Sequence, residues 1–290
     1  MKTILITGSS GFIATNLINN LKQDNKIIGI DIKKKKSNKL HKFYNFDLKN
    51  KKKVFSVFDK NQIDIIIHLA ANPGFVSNFK NPIDAFNDNL LTSLIILENA
   101  KNYDIDKVFL FTSFGVDNFK RNPTMYAYTK LSLKYLVDYF AKSLKAPCVL
   151  IKLSNVYGPN SIHKNSVIHS FFKNIYKHKK IIIHDNGTQT RDFLYVDDIS
   201  KQLKILINRR KIKSTNNFCS GKNTSINNVY KIIKTITNKK IKISFLPSPV
   251  GYDELRKNQI KKNNFYFNPT SINEGLILTN NWYYKFYKTK

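Results

Sequence analysis

The stretch TGSSGFIA, residues 7–14, decides the interpretation of this 290-residue chain. It follows the apolar run ILI at residues 4–6 and opens an apolar-periodic segment that extends to Leu21. This pattern predicts a strand, a tight turn and a helix. Glycine at positions 8 and 11 lets the backbone turn sharply and approach a ligand closely. The free N–H groups at such a helix start can bind a pyrophosphate.

A second predicted strand, 26–31, ends in Asp31, which lies twenty residues after Gly11. A carboxylate at this place can accept hydrogen bonds from the ribose hydroxyls of adenosine, and its charge repels a 2′-phosphate. The glycine turn and Asp31 together therefore favour NAD over NADP as the cofactor. An ordinary strand-to-helix turn with a surface aspartate is the alternative.

The charge of the chain is strongly positive, with 49 Lys and Arg against 19 Asp and Glu and a formal net charge of +30. Such a charge can attract nucleic acid or an anionic substrate. Nearly all of the excess is Lys, however, and the chain carries no nucleic-acid motif. We therefore expect no nucleic-acid partner, and we interpret the basic run from Lys33 to Lys36 as a solvated loop.

The length is sufficient for one large domain or two joined ones. No run of 18 apolar residues occurs, and the short N-terminal apolar run leads directly into the glycine turn. We therefore expect neither a membrane span nor a signal peptide. Cys148 and Cys219 form no spacing motif, and we find no cluster of metal ligands. These features predict a cytoplasmic protein with small core cysteines and no metal.

The first half of the chain alternates strand and helix patterns, which indicates an α/β protein with a doubly wound parallel sheet. Strands are expected at 3–7, 26–31, 42–45, 64–68, 107–112 and 147–153, and helices at 11–22, 51–59, 83–102 and 125–144. Such sheets bind ligands at the carboxyl ends of their strands. From about residue 154 the order loosens, which predicts a smaller second lobe with segments that return to the first.

Tyr126 and Lys130 lie four residues apart and so share one face of a predicted helix. A nearby ammonium group stabilises a phenolate and brings the tyrosine pKa towards neutral pH, where it can act in acid–base chemistry. Ser113 lies just beyond the strand 107–112 and can orient the reacting oxygen. A helix pair that only packs is the alternative. His68 follows a buried strand, and we expect it to be structural.

Several further motifs occur in order along the chain: Asp47-Leu48, HLAA at 68–71, Asn89, NVYGP at 155–159, GTQTRDFLYVDD at 187–198 and the segment 275–282. With the glycine turn and Tyr126-x-x-x-Lys130, they resemble the extended short-chain dehydrogenase/reductases of the nucleotide-sugar epimerase and dehydratase branch. This resemblance implies a Rossmann-type NAD-binding domain at 1–153. It also implies a smaller C-terminal substrate-binding lobe, mainly 154–290.

The resemblance also implies site residues. Those expected to bind the cofactor are Gly8, Gly11, Phe12, Ile13, Asp31, Asp47, Leu48, Ala70, Ala71, Asn89, Tyr126 and Lys130. Those expected to be catalytic are Ser113, Tyr126 and Lys130. Those expected to bind the nucleotide-sugar substrate are Ser113, Asn155 and Arg191. The alternatives are that Asn155 caps a turn and that Arg191 pairs with Asp192 or Asp198. Arg256 is expected to compensate for an arginine missing from a pattern near 249–253.

The residues after Ser113 bear on the reaction. Dehydratases of the family carry an Asp-Glu pair there and decarboxylases carry a Glu, whereas this chain has Phe114-Gly115. The resemblance therefore favours an NAD-dependent epimerase that acts at C4 through a transient keto sugar. A dehydratase, a keto-sugar reductase and a non-catalytic NAD-binding protein are the alternatives. The resemblance further implies surface polysaccharide biosynthesis and a homodimer formed through helices 83–102 and 125–144.

Overall fold

The computed structural model describes residues 1–34, 40–72, 81–118, 124–239, 241–248 and 262–289. The chain divides into two compact units. The first unit comprises Met1–Leu153 and Ser200–Asn216, and the second comprises Ser154–Ile199 and Asn217–Lys290. No helix in the described ranges is both long and apolar enough to cross a membrane.

The N-terminal 153 residues alternate strands with helices. In chain order the elements are β1 (Lys2–Thr7), α1 (Phe12–Leu21), β2 (Asn25–Asp31), β3 (Lys42–Asn45), α2 (Lys51–Asp59), β4 (Ile65–His68), α3 (Pro82–Phe86), a π-helical turn (Asn87–Leu91), α4 (Thr92–Ala100), β5 (Lys107–Ser113), a 3-10 turn (Phe114–Asn118), α5 (Met125–Ser143) and β6 (Cys148–Leu153).

The rest of the chain forms mostly shorter elements. They are β7 (Asn155–Tyr157), α6 (Val167–Tyr176), β8 (Ile181–His184), β9 (Thr190–Tyr195), α7 (Val196–Asn208), β10 (Thr215–Phe218), β11 (Asn223–Ser225), α8 (Ile226–Thr237), β12 (Ile243–Leu246) and α9 (Ile272–Lys288). Helix α7 begins in the second unit and continues into the first.

The main sheet has seven strands in the order β3-β2-β1-β4-β5-β6-β10. Strands β1 to β6 pair in parallel throughout. The strand order reverses between β1 and β4, and the crevice at such a reversal is where these sheets bind ligands. This topology confirms the predicted doubly wound, Rossmann-type α/β fold.

The inner strands of the main sheet are buried on both faces, whereas the edge strand β3 is partly exposed. Ile4, Leu5 and Ile6 of β1 are all fully buried, although successive strand residues point to opposite faces. Leu5 packs in one core with residues of α2, α4 and α5, such as Val57 and Val137. Continuous apolar strands of this kind are typical of parallel sheets that helices cover on both sides.

The second unit has its own core and two small sheets, β11-β9-β7 and β12-β8. Its core gathers aromatic residues of α6, β7, β9 and α9. The rings of Phe172 and Tyr283 stack with their centroids 5.3 Å apart, and the Tyr157 ring packs edge-on against Phe193. Both cysteines of the chain are buried free thiols.

One predicted helix, 83–102, differs from the observed structure because a π-helical turn divides it into α3 and α4. Two side chains follow the turn and bond its carbonyl groups. The Thr92 hydroxyl donates to the carbonyl of Asp88, and the Ser93 hydroxyl donates to the carbonyl of Asn89. The other predicted strands and helices begin and end within one residue of the observed ones.

Candidate active site

The glycine turn that follows β1 leaves no room for a side chain at position 8. Gly8 has a φ of +65°, and a Cβ atom there would lie 2.8 Å from the Cα and N atoms of Ala70. The Gly11 N–H closes the turn by donating to the carbonyl of Gly8 at 2.9 Å. The turn can therefore adopt this conformation, packed against the backbone of Ala70, only with glycine at position 8.

Helix α1 begins directly after this turn, with Gly11 as its N-cap and with no acidic residue in its first turn. Phe12 and Ile13 are partly buried, and Ala14 is buried against the core. The first N–H groups of a helix lack intrahelical acceptors and carry the positive end of the helix dipole. The start of α1 is therefore suited to bind an anion such as a pyrophosphate.

Asp31 ends β2 beside the same turn. One carboxylate oxygen accepts the N–H of Ser10 at 2.9 Å, and the other accepts the N–H of Lys33 at 2.8 Å. The Asn45 amide donates to the Asp31 carbonyl at 2.9 Å. These contacts fix the orientation of the carboxylate. Because each carboxylate oxygen has two acceptor sites, each can accept one further hydrogen bond from a ribose hydroxyl.

Asp47 and Leu48, which follow β3, have different environments. Leu48 is buried in the core with residues such as Ile30. Asp47 is exposed, and its carboxylate accepts the N–H of Lys49 and forms an ion pair with the Lys49 ammonium at 3.3 Å. The structure thus places Asp47 at the surface, and its predicted contact with the cofactor stays a prediction.

Ser113, Tyr126 and Lys130 lie on β5 and α5, which pack against each other. The Lys130 ammonium donates to the carbonyl of Phe111 at 3.0 Å, and the Thr112 hydroxyl donates to the carbonyl of Lys130 at 3.0 Å. These two bonds anchor the helix to the carboxyl end of β5, where Ser113 lies. The Ser113 hydroxyl accepts the N–H of Gly115 at 3.1 Å.

The pKa of Tyr126 shifts in the opposite direction from the one that the sequence predicts. Burial raises the pKa of Tyr126, and burial also lowers the pKa of Lys130 to about 8, because each charged form is desolvated. The expected lowering of the tyrosine pKa by the ammonium is not seen here, because burial has the larger effect, and the catalytic role of Tyr126 and Lys130 stays a prediction. The Lys130 ammonium is bonded to the Phe111 carbonyl instead.

Asn89 lies in the π-helical turn and is almost fully buried. Its side-chain oxygen accepts the N–H of Asn72 at 2.7 Å, and its amide donates to the Thr129 hydroxyl at 3.2 Å. Ala70 and Ala71 directly precede Asn72 and are partly buried. Asn89 therefore holds the segment after β4 and connects it to α5.

The second unit carries the two residues predicted to bind the substrate. Asn155 begins β7 and pairs in register with Phe193 of β9, and its amide donates to the carbonyl of Asp192 at 3.3 Å. Arg191 precedes Asp192 on β9, and its guanidinium donates to the carbonyl of Thr190 at 2.7 Å. The three-stranded sheet therefore brings Asn155 and Arg191 onto neighbouring strands.

The two carboxylates suggested as partners of Arg191 bind the backbone of the second unit. Asp192 accepts the N–H groups of Ser220 and Gly221 at 2.9 and 2.8 Å. Asp198 accepts the N–H of Thr270 at 2.8 Å and its hydroxyl at 2.7 Å. Both carboxylates are thus structural. Lys35, Lys36, the 249–253 pattern and Arg256 lie outside the described residues.

Comparison with known proteins identifies the family. Residues 4–219 match the model of the NAD dependent epimerase/dehydratase family. The chain belongs to this family. The match includes every residue predicted above to bind the cofactor or the substrate, and it confirms both the expected enzyme class and NAD as its cofactor.

Relatives of this chain include both a dehydratase and an epimerase. A dTDP-D-glucose 4,6-dehydratase of Dictyostelium discoideum is 30% identical over 274 residues, which cover 82% of this chain and 62% of the relative. A putative UDP-glucose 4-epimerase of Methanocaldococcus jannaschii is 29% identical over 250 residues, which cover 80% of this chain and 81% of the relative. The chain thus spans less than two thirds of the dehydratase.

Solved structures agree on the fold. A UDP-glucose 4-epimerase of Thermotoga maritima in complex with UDP-glucose has a TM-score of 0.88 and 24% identity, over 98% of this chain and 99% of that one. A UDP-N-acetylglucosamine 4-epimerase of Methanobrevibacter ruminantium has a TM-score of 0.84 and 26% identity, over 98% of each chain.

The geometry of the first unit fits NAD. The glycine turn, residues 8–11, forms a cradle whose shape requires glycine at position 8, because a Cβ atom there would collide with the backbone of Ala70. Helix α1 starts without an acidic residue, and the Asp31 carboxylate is fixed beside the turn. Gly8, Gly11, Phe12 and Ile13 would hold the pyrophosphate, and Asp31 would hold the ribose. When bound, NAD supplies a group that takes up a hydride and returns it.

The sequence pattern did not identify the residues that hold this site in place. Thr7, Ser93 and Thr129 are buried and hydrogen-bonded around His68 and Asn89. Single polar residues in apolar strands and helices carry no periodic signal, so only their contacts reveal them. The position of Thr7 directly before Gly8 was the one available hint.

Proposed function

We propose that this protein is an NAD-dependent 4-epimerase of a nucleotide-activated sugar. The observation that carries the choice of reaction lies directly after Ser113. The next residues are Phe114 and Gly115, and the Lys152 ammonium lies over the Phe114 ring, 5.3 Å from its centroid. Neither residue can donate or accept a proton to eliminate water, whereas epimerisation needs no further acid.

Tyr126 is the acid–base residue in this proposal. Its phenolate accepts the proton of the sugar C4 hydroxyl as the C4 hydrogen leaves with its electron pair. The resulting keto sugar then presents its other face, and Tyr126 returns the proton to the C4 oxygen when the hydride comes back. No proton or electron pair is gained or lost overall, so the product has the mass of the substrate.

Lys130 and Ser113 support this proton transfer. Burial raises the pKa of Tyr126, so formation of the phenolate requires a positive charge close by. Lys130 supplies one from the same face of α5, and the Ser113 hydroxyl is placed at the end of β5 to orient the C4 oxygen. Opposite charges within about 4–6 Å favour the ionised forms of both partners.

Asn155 and Arg191 bind the nucleotide sugar in this proposal, and the first and second units serve as the cofactor and substrate domains. Arg191 suits the diphosphate because its planar fork of N–H groups matches phosphate oxygens. Asn155, exposed on the neighbouring strand, has an amide that can bond the sugar or its phosphate. The same proposal includes a cytoplasmic location and a part in surface polysaccharide biosynthesis.

A dehydratase is the second candidate, because the Dictyostelium relative at 30% identity is named as one. The products of the two reactions differ in mass. Purified protein is incubated, with and without added NAD, with UDP-, GDP-, dTDP- and CDP-sugars, and products are followed by mass spectrometry and NMR. A product of unchanged mass with inverted configuration at C4 supports the epimerase. Loss of one water molecule supports the dehydratase and overturns the first proposal.

A homodimer through α3, α4 and α5 is part of the proposal. Seven large apolar or aromatic residues of these helices are exposed: Ile83, Phe86, Leu94, Tyr128, Leu131, Tyr135 and Tyr139. The last four recur along one face of α5, and such stripes usually mark an interface. Tyr135→Glu should yield monomers by light scattering. A monomeric wild-type protein at micromolar concentration would exclude this dimer.

A further inference from the structure

A buried chain of hydrogen bonds connects the end of β1 with the π-helical turn. The Thr7 hydroxyl lies 2.7 Å from Nδ1 of His68, and Nε2 of His68 lies 3.0 Å from the Ser93 hydroxyl. The Ser93 hydroxyl donates to the carbonyl of Asn89 at 2.7 Å. Thr7, His68 and Ser93 are all at most 4% exposed. Bonds buried to this degree fix the geometry of the groups that they join.

The proton positions in this chain can be assigned. Ser93 gives its only hydroxyl proton to the Asn89 carbonyl, so its oxygen must accept a proton from Nε2 of His68. Nδ1 is then the acceptor for the Thr7 hydroxyl. His68 is therefore neutral with its proton on Nε2. Burial, aided by the charge of Lys130, lowers the pKa of His68 to about 3, which is consistent with this form.

One end of the chain reaches the glycine turn. The Thr7 oxygen accepts the N–H of Ala70 at 3.3 Å, and the backbone of Ala70 is what limits the space at Gly8. Thr7 is also the residue directly before Gly8. The Nδ1 contact of His68 therefore fixes both sides of the cradle at Gly8.

The other end of the chain reaches the helix that carries Tyr126. The Asn89 amide donates to the Thr129 hydroxyl, which donates in turn to the carbonyl of Tyr126 at 2.9 Å. The Nε2 contact of His68 holds the Asn89 carbonyl through Ser93. It therefore fixes the π-helical turn against α5.

We propose that His68 is a positioning residue with two separable contacts. The Nδ1 contact with Thr7 holds the cradle for the cofactor pyrophosphate and so sets NAD affinity. The Nε2 contact with Ser93 holds Asn89 and α5 and so sets the rate of proton transfer by Tyr126. The second statement rests on the proposed function, whereas the first rests only on the cofactor of the family.

Two substitutions of His68 separate the contacts. In His68→Asn the side-chain amide reaches the Nδ1 position but not the Nε2 position, so NAD affinity should stay within twofold while kcat falls about tenfold. In His68→Gln the amide reaches the Nε2 position, so the NAD dissociation constant should rise about tenfold while kcat is retained. Equal effects of both variants on both quantities would overturn the proposal.

Milder variants provide the same test where His68 substitutions impair folding. The isosteric Thr7→Val should weaken NAD binding, measured by calorimetry, and Ser93→Ala should lower kcat with little effect on NAD binding. Val57→Ala, a core substitution on α2, is the control that lowers the melting temperature without changing either quantity. If the network variants behave like Val57→Ala, His68 is only structural.

The ring itself can be observed by nitrogen NMR in the wild-type protein. The proposal requires a proton on Nε2 and no titration between pH 5 and pH 8, and a proton on Nδ1 would refute it. If no nucleotide sugar is turned over, the proposed function fails, but the NMR signal and the NAD dissociation constants of His68→Gln and Thr7→Val still decide the Nδ1 contact.

Discussion

The candidate residues of the first unit are held far more firmly than those of the second. Lys130 is buried and bonded to the Phe111 carbonyl, and the Asp31 carboxylate accepts two backbone N–H groups. Asn155, by contrast, is exposed, and Arg191 is only partly buried. The difference indicates that the residues predicted to bind the cofactor are preorganised by the core of the first unit, whereas those predicted to bind the substrate lie nearer the surface of the second unit.

The largest effect is expected from Tyr126→Phe. Removing the phenol should lower kcat by about 10³-fold, since positioned acid–base groups contribute about 10²–10⁴-fold. NAD affinity should stay within twofold, because the helix remains anchored through Lys130 and Thr112. Tyr284→Phe, at an exposed tyrosine of α9, is the control. An active Tyr126→Phe enzyme would remove the first unit as the site of chemistry.

Substitutions of two glycines test whether NAD binding depends on the first unit alone. Gly8→Ala should raise the NAD dissociation constant by about 100-fold, because the new Cβ atom collides with Ala70 and φ is +65°. Gly221→Ala in the second unit has a similar φ of +76° and should incur comparable strain, seen as a lower melting temperature. An equal loss of NAD affinity in both variants would contradict the comparison.

Arg191→Met tests the second unit. The change keeps an apolar stem of similar length and removes the guanidinium, so KM for the nucleotide sugar should rise about 30-fold, as expected for hydrogen bonds to charged groups. The NAD dissociation constant should not change. Arg210→Met, which removes an exposed arginine, is the control. Weaker NAD binding by Arg191→Met would mean that the two functions are not divided between the units.

The smallest effect concerns the pH dependence of stability. Lys130 has a pKa of about 8 in the fold against 10.5 when unperturbed. Between these values the unfolded chain binds more protons, so Lys130 makes stability rise with pH in this window. Relative to Lys130→Met, the wild-type free energy of unfolding should increase by about 2 kcal/mol from pH 8 to pH 10 in urea titrations. If the free energy of unfolding of the two proteins changed equally with pH, Lys130 would be solvated in the folded protein.

The elements of the first unit could be predicted because their signals are local. The apolar strands, the glycine turn and the 3.6-residue helix pattern gave boundaries within one residue of those observed for β1, β2 and α1. The π-helical turn could not be predicted, because the apolar pattern of residues 83–102 does not distinguish it from an α-helix; in the structure the turn coincides with hydrogen bonds of Thr92, Ser93 and Asn89.

The site was predicted less completely than the fold. The sequence pattern predicts Ser113, Tyr126 and Lys130 at one end of the sheet, and the structure bonds Lys130 to the end of β5. The pattern did not reveal that Lys130 bonds the Phe111 carbonyl or that burial raises the pKa of Tyr126. These properties depend on desolvation, which tertiary packing determines. The short elements of the second unit have no comparable periodic pattern, and their individual bounds were not predicted.

The most direct test of the proposed chemistry uses a nucleotide sugar that is turned over in the panel described above, prepared with deuterium at C4. The protein is incubated with this substrate and NAD in ordinary water, and the products are examined by NMR and mass spectrometry. The proposed epimerase returns the same hydride to C4, so the inverted product should have unchanged mass and keep deuterium at C4. Loss of the label from C4 with inversion, or a product lighter by one water molecule, would contradict this account.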